Sequence, residues 1–116
     1  MSIINAVVFP EGKGYVAQGI EKDISAQSMS VLGAVECFER TLKGQCIVDQ
    51  THGIVPLSTV AMSPATYHRA MLDSGNKLTT KAVGFGFVLR FYVCAPIPIE
   101  DVLRDMQSAE KGSKHG

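Results

Sequence analysis

The chain has 116 residues, 46% of them hydrophobic and 19% charged, and its 11 basic and 11 acidic residues cancel to a formal net charge of zero. This length supports one hydrophobic core but not two, and the composition excludes a disordered chain. Proteins that bind nucleic acid through its phosphates are usually basic, so the balanced charge argues against that class, although a local basic patch would leave the total unchanged.

The cysteines and the N-terminal residues bear on the cellular compartment. Cys37, Cys46 and Cys94 form neither a C-x-x-C pair nor a disulfide framework, so we expect reduced and mostly buried thiols. The N-terminus has a short apolar run without the basic region of a signal peptide. No stretch approaches the roughly 20 apolar residues of a membrane span. These features predict a soluble, cytoplasmic protein with no membrane contact.

The first part of the chain is patterned as three strands. Residues 3–9 (IINAVVF) are β-branched and aromatic and stop at Pro10. Residues 15–20 (YVAQGI) follow a glycine turn, and residues 24–28 (ISAQS) alternate apolar and polar side chains. The connections are so short that we expect an antiparallel meander.

Two helices are predicted next. The first is an amphipathic helix from the N-cap Ser30 to about Asp49, because apolar residues recur at three- and four-residue steps at Leu32, Val35, Phe38, Leu42 and Cys46. A loop containing Gly53 and Pro56 follows. The second helix is short, with Ser63 as N-cap, Pro64 at its first position and Gly75 just past its end.

The longest predicted strand lies within residues 78–99 and stops at the prolines Pro96 and Pro98. Alternation places an apolar set on one face, namely Phe85, Phe87, Leu89, Phe91 and Val93. The other face carries Gly84, Gly86, Val88, Arg90 and Tyr92. The helix of residues 31–49 is expected to cover the apolar face.

The element order βββ-α-α-β predicts a two-layer α+β domain, with an antiparallel sheet and helices packed on one face. We interpret residues 1–98 as a single domain. Residues 99–116 are expected to form a short helix and a disordered tail.

One long stretch, GYVAQGIEKDISAQSMSVLGAVECFERTL, resembles the HicB-like antitoxin family. The family's Gly-Tyr-aliphatic-Ala strand is matched by Gly14, Tyr15, Val16, Ala17 and Gln18. The end of its third strand is matched by Ala26 and Gln27, and its helix by Ala34, Glu36 and Leu42. Downstream, HGIVPLSTVAMSPATYHRAM is similar to the tail of orphan HicB-like proteins. The resemblance covers about residues 5–72.

The resemblance implies a truncated ribonuclease-H-like fold of three strands, a helix and a further strand, in a domain that binds a protein partner. The implied partner is a small RNA-cleaving toxin, masked by contact. Where the family usually has Gly-Asp-Thr before the helix, this chain has Ser28, Met29 and Ser30. About one short helix fits after Ile99, so we expect an orphan member without a self-sufficient DNA-binding module.

Several residues are candidates for catalysis or metal binding. Asp49 and His52 are spaced to share a metal ion, and Cys46 beside them hints at a nucleophilic Cys–His pair. No second ligand pair is evident and Cys46 lies on the apolar stripe, so a solvated helix end and a core thiol are favoured. Glu36 and Glu39 fit a solvated helix face better than an acid–base pair.

Two glycine pairs are candidates for phosphate-binding loops. GKG at 12–14 and GFG at 84–86 lack the spacing of such a loop, and no helix follows either directly. They fit turn and strand-packing positions better. The sequence therefore predicts no catalytic residue, no metal site and no cofactor.

The predicted dimer interface is the small-residue face of the last strand, formed by Gly84, Gly86, Val88, Arg90 and Tyr92. Small residues let a second backbone approach, and Arg and Tyr are enriched at interfaces. The alternative is that the helix of residues 64–74 covers this face within one subunit.

Together these features predict a non-catalytic HicB-like protein that forms a homodimer and binds a small toxin, or an orphan of that fold. Direct binding of nucleic acid is not expected. The alternative is a small-molecule- or nucleic-acid-binding regulator encoded on a mobile element, which a basic or aromatic concave groove would favour. An enzyme is the third reading, and it requires Cys46, Asp49 and His52 to converge.

Overall fold

The computed structural model describes residues 1–115 as one mixed sheet with three helices. In chain order the elements are β1 (Ser2–Glu11), β2 (Gly14–Gly19), β3 (Ser25–Ser28), α1 (Val31–Thr51), α2 (Thr66–Asp73), β4 (Asn76–Gly84), β5 (Phe87–Val93) and α3 (Ile99–His115). Among these residues, no helix combines the length and the apolarity that a membrane crossing requires.

The five strands lie in the order β3-β2-β1-β5-β4. The pairs β1–β2, β2–β3 and β4–β5 are antiparallel, whereas β5 runs parallel to β1. A parallel pair needs a crossover connection, and here the chain passes through α1, α2 and β4 before β5 returns beside β1. The predicted two-layer α+β class is confirmed, with the difference that the sheet is mixed and not antiparallel throughout.

The long strand predicted in residues 78–99 is in fact a hairpin of two strands. Gly84 pairs with Phe87, and the two residues between them, Phe85 and Gly86, have φ angles of 56° and 83°. Positive φ at both positions is the signature of a type I′ hairpin turn. Apolar side chains continue to alternate across this turn, so the periodicity alone could not indicate where one strand ends and the next begins.

The main core lies between α1 and one face of the sheet, which we call the α1 face. Cross-strand partners place Ala6 and Phe91 on this face, and the Phe38 ring of α1 meets the Phe91 ring edge-on at 5.6 Å. Ser30 caps α1 as predicted, since its hydroxyl accepts a hydrogen bond from the Gly33 amide. The fully buried large side chains are Phe38, Phe91, Ile4, Leu42, Leu57, Leu89, Val7, Val8, Val93 and Cys46.

The second helix contacts the opposite face of the sheet. The His68 ring of α2 stacks on the Phe9 ring at 5.6 Å. Phe9 alternates with Val8, which belongs to the α1 face because it pairs with Val93 and Ala17. α2 therefore covers part of the face that α1 leaves open. The prediction that all helices pack on one face of the sheet is wrong for α2.

The third helix is longer than expected. α3 runs over Ile99–His115, where a short helix and a disordered tail were predicted. Its Val102 is buried and its Met106 is half-buried, and the helix lies against α1 and β4. Glu100 and Asp101 in its first turn suit the positive end of the helix dipole. Residue 116 of the predicted tail lies outside the described residues.

Candidate functional site

The first candidate residue, Asp49, holds the loop that follows α1. It is buried, and its Oδ2 accepts a hydrogen bond of 2.8 Å from the Leu57 amide while its Oδ1 accepts one of 2.9 Å from Gln45 Nε2. Its carbonyl oxygen accepts a further bond of 2.8 Å from the Ile54 amide. The carboxylate therefore stabilises a loop, and both of its oxygens are engaged.

The other two members of this candidate group do not converge on Asp49 as a catalytic or metal site. Cys46 is fully buried, and burial first, then the neighbouring Asp49 carboxylate, raises the pKa of its thiol. A protonated, enclosed thiol is a poor nucleophile. His52 is exposed at the end of α1, with its Nδ1 2.9 Å from the Val48 carbonyl oxygen. Within the described part of the chain, no three His, Cys, Asp or Glu side chains cluster closely enough to hold a metal ion.

Replacing Asp49 with alanine is expected to lower the free energy of unfolding by about 3 kcal/mol, because the buried Leu57 amide loses a charged acceptor. Gln45→Ala is the matched control, since it removes only the second bond, and we expect a loss of about 1 kcal/mol. Urea denaturation followed by circular dichroism measures both values. Equal stability of Asp49→Ala and the unmodified protein would show that the carboxylate does not anchor the loop.

The two glutamates of α1 have separate surroundings. Glu39 bonds to Lys43 at 2.9 Å and lies 3.4 Å from Lys81 of β4. The Lys43 hydrogen bond, aided by Lys81, lowers the pKa of Glu39 against the opposing effect of its burial. A general acid at neutral pH needs the reverse shift. Glu39 thus links α1 to β4. Glu36 is exposed to solvent, as predicted for this face of the helix.

One polar contact was not foreseen from the sequence. Ser63, predicted as the N-cap of the second helix, instead places its Oγ 3.1 Å from Nδ1 of the buried His68, and α2 begins later, at Thr66. The Tyr67 ring lies 4.3 Å from the His68 ring. A nucleophilic Ser–His pair requires a third group to orient the base, and no carboxylate bonds to His68 in the described hydrogen bonds. The contacts of His68 with Ser63, Tyr67 and Phe9 therefore hold α2 against the sheet.

Three of the five residues of the predicted dimer interface share one face of the sheet. Val88, Arg90 and Tyr92 lie side by side on the face opposite α1, next to Ile3, Asn5 and Val7 of β1. Gly84 and Gly86 are not on this face. They stand at the hairpin turn with φ angles of 81° and 83°, and no atom lies near the position of an added Cβ. Their positive φ angles give both glycines a conformational role at the turn.

α2 leaves part of this sheet surface uncovered. We call the set Ile3, Val88, Arg90 and Tyr92 the open face. Ile3 is 41% exposed, and the other three residues are half-buried. The alternative prediction, that the second helix covers this surface, agrees with the stacking of His68 on Phe9 and with the full burial of Val7, but not with the exposure of Ile3.

Arg90, on the open face, has a polar atom without a hydrogen-bond partner. Its Nε is buried and has no hydrogen-bond partner among the described residues. Its cross-strand neighbour Asn5 is occupied by Glu21, which accepts bonds from the Asn5 amide at 2.6 Å and from Asn5 Nδ2 at 2.9 Å. A buried donor without an acceptor costs about 1–3 kcal/mol.

Two grooves flank α3. The first, of about 370 Å³, lies between α1 and β4 and is lined by Leu32, Val35, Glu36, Leu78, Thr79, Thr80, Lys81 and Met106. The second, of about 320 Å³, lies between the N-terminal ends of α1 and α3, and its charged lining residues are Asp101 and Asp105. Lys81 is the one basic residue among those that line these two grooves, and Glu36 lies in the same groove, so neither has the cluster of cations that would attract phosphate.

Comparison of the chain with protein-family models, with curated proteins and with solved structures found no match.

Proposed function

We propose that this protein is a non-catalytic, HicB-like binding protein that forms a homodimer and masks a small RNA-cleaving toxin-type protein by direct contact. An orphan of the same fold, without such a toxin, is the second form of the proposal. The order of three strands and a helix, followed later by a further strand beside β1, is consistent with the fold that the sequence resemblance implies.

The observation that carries the proposal is the open face. It combines aliphatic side chains with an arginine and a tyrosine, the composition typical of interface centres. In a two-fold dimer the same surface meets itself.

The exposed sheet edges support association through a face. β4 is an edge strand that carries Lys77 and Lys81, and its pairing with β5 is interrupted by two register shifts. Charged side chains and bulges are the usual means of preventing a second strand from adding to an edge. The other edge strand, β3, has only four residues.

Three of the candidate catalytic residues have a structural use, which supports a binding role. Asp49 holds a loop, Cys46 fills the core, and Glu39 joins α1 to β4. The three cysteines are free thiols, a state that fits the proposed location in the cytoplasm.

Light scattering tests the homodimer. The purified protein is expected at twice the chain mass of 12.5 kDa, and Val88→Asp is expected at the chain mass. Val55→Asp is the matched control, because Val55 is 72% exposed and lies in the loop after α1, outside the open face. A second variant guards against misfolding: Arg90→Glu places a carboxylate on the same surface and should also weaken the dimer while the cooperative thermal transition is retained. A monomeric unmodified protein would overturn this part.

Masking of a toxin needs a separate experiment. Protein retained from a lysate of the source cells is eluted under denaturing conditions, refolded and assayed for cleavage of labelled RNA. The proposal expects an eluted RNA-cleaving protein that is inhibited by one equivalent of the dimer. An eluate without that activity, or an activity that the dimer leaves unchanged, would overturn the toxin-masking function.

A further inference from the structure

The groove between α1 and α3 has the properties of a docking site for a basic segment. We call it the acidic groove, and define it by Tyr15, Met29, Ser30, Val31, Leu32, Ile97, Pro98, Asp101, Val102 and Asp105. Its walls come from β2, from the start of α1, and from the start of α3 with the residues before it. It lies on the α1 side of the sheet, since Tyr15 pairs with Pro10 two residues after Val8, and so it is separate from the open face.

The floor of the acidic groove is apolar. Val31, Ile97 and Val102 are buried there, and Tyr15 is half-buried. Met29 stands at the rim with 74% of its surface exposed. An exposed methionine is costly to leave in water and adapts its shape to an incoming apolar side chain. This floor is therefore suited to apolar anchors.

The charged lining of the groove has a single sign. Asp101 and Asp105 follow one another along α3, and the groove has no lysine or arginine lining it. Beyond Tyr15 and Met29 the depression continues past Gly14, Gln27 and Ser28 to Glu11 and Lys13 at the β1–β2 turn. Arg104 bonds to Asp101 at 3.1 Å, but both side chains of that pair are exposed, so the pairing is weak.

We propose that the acidic groove seats a segment of the partner protein that carries lysine or arginine beside apolar side chains. The segment's apolar groups pack on Tyr15 and Met29, and its cations face Asp101 and Asp105. This inference rests on the proposed function for the partner's identity, because a protein that cleaves RNA must carry basic groups to bind phosphate. It names the part of this chain that contacts those groups.

A second copy of this chain is a poorer occupant of the same groove. In a two-fold contact the groove would meet itself, and Asp101 and Asp105 of one copy would face those of the other. Like charges brought together across an interface oppose association. The charge pattern therefore favours a basic partner here and leaves self-association to the open face.

A defined peptide tests the groove without the unidentified partner. The probe is a 14-residue amphipathic peptide of leucine and lysine, titrated into the ¹⁵N-labelled full chain while amide shifts are recorded. A peptide with glutamate in place of lysine is the charge control. We expect saturable shifts at residues 15, 29–32 and 97–105 with the lysine peptide only. Shifts confined to other residues, or equal binding of both peptides, would overturn the inference.

Matched variants make the result specific. Asp101→Asn with Asp105→Asn is expected to weaken binding of the lysine peptide at least tenfold, while the cooperative thermal transition is retained with only a small decrease in Tm from the lost charge at the start of α3. Glu36→Gln removes an exposed carboxylate from the neighbouring groove and is expected to leave the affinity unchanged. Equal affinity of the double variant and the unmodified protein contradicts the groove assignment.

The proposed function and the groove assignment can fail separately. If the eluted toxin binds the Asp101→Asn, Asp105→Asn protein as tightly as the unmodified one, the groove assignment is wrong and the masking function stands. If the lysine peptide binds in the groove but no RNA-cleaving protein is eluted, the groove is a site for basic segments and the toxin function is wrong.

Discussion

Phe91→Asp is expected to prevent folding. Phe91 is fully buried on β5, between the neighbouring strands β1 and β4, and its ring meets Phe38 of α1 at 5.6 Å. An aspartate here would be a buried carboxylate without a partner, and it would also remove the ring contact between Phe91 and Phe38 of α1. The cost is several kcal/mol, comparable to the 5–15 kcal/mol that stabilises a typical domain. Circular dichroism should show no cooperative thermal transition.

The control for this variant is Phe91→Leu, which keeps an apolar side chain and should lose only about 1–2 kcal/mol while remaining folded. A second outcome would challenge the fold itself. If Phe91→Asp keeps its cooperative transition and the mass of the unmodified protein, then β5 does not lie beneath α1 as described.

The same substitution at two glycines is expected to act in opposite directions. In Gly19→Ala the new Cβ would collide with the carbonyl oxygen of Lys22, and it would approach the Phe38 ring to 3.2 Å. Because the first obstacle is backbone, the chain must shift, and we expect a loss of about 2–3 kcal/mol. In Gly44→Ala the added methyl on α1 meets no atom within 4 Å, so the higher helix propensity of alanine should add about 1 kcal/mol.

Urea denaturation measures the change in the free energy of unfolding for both glycine variants. Both curves are analysed with the same slope of free energy against urea concentration. Each variant is the control for the other, since the chemical change is identical and only the surroundings differ. A gain of stability in Gly19→Ala would mean that the turn between β2 and β3 is looser than described. A loss of stability in Gly44→Ala would mean that the added methyl group collides with another part of the protein.

The N-terminal half of the chain was predictable because its structure is local. β1, β2 and β3 lie close to the strands read from residues 3–9, 15–20 and 24–28. α1 begins after its predicted cap, Ser30, and ends at Thr51, close to the predicted Asp49. Short turns fix antiparallel neighbours, and an apolar stripe of period 3.6 fixes a helix face, so neighbouring residues carry enough information.

The candidate surfaces were predictable only in part. Alternation correctly grouped Val88, Arg90 and Tyr92 on one face, but it also placed Gly84 and Gly86 there, although they belong to a turn. The pattern could not indicate that Asp49 would reach the Leu57 amide, because the partner lies in an irregular loop. The acidic groove was invisible to sequence patterns, since its lining residues come from separate elements.

Side-chain periodicity and short connections specify the local elements, the apolar stripe of α1 and the α+β class, and all three could therefore be predicted. Only the tertiary structure decided that β5 lies parallel to β1, that a turn at Phe85 and Gly86 divides the last strand, and that α2 contacts the other face. A two-residue period specifies which side chains share a face, but not which strands are neighbours. Neighbours are chosen by the packing of distant segments, and that choice leaves the open face uncovered.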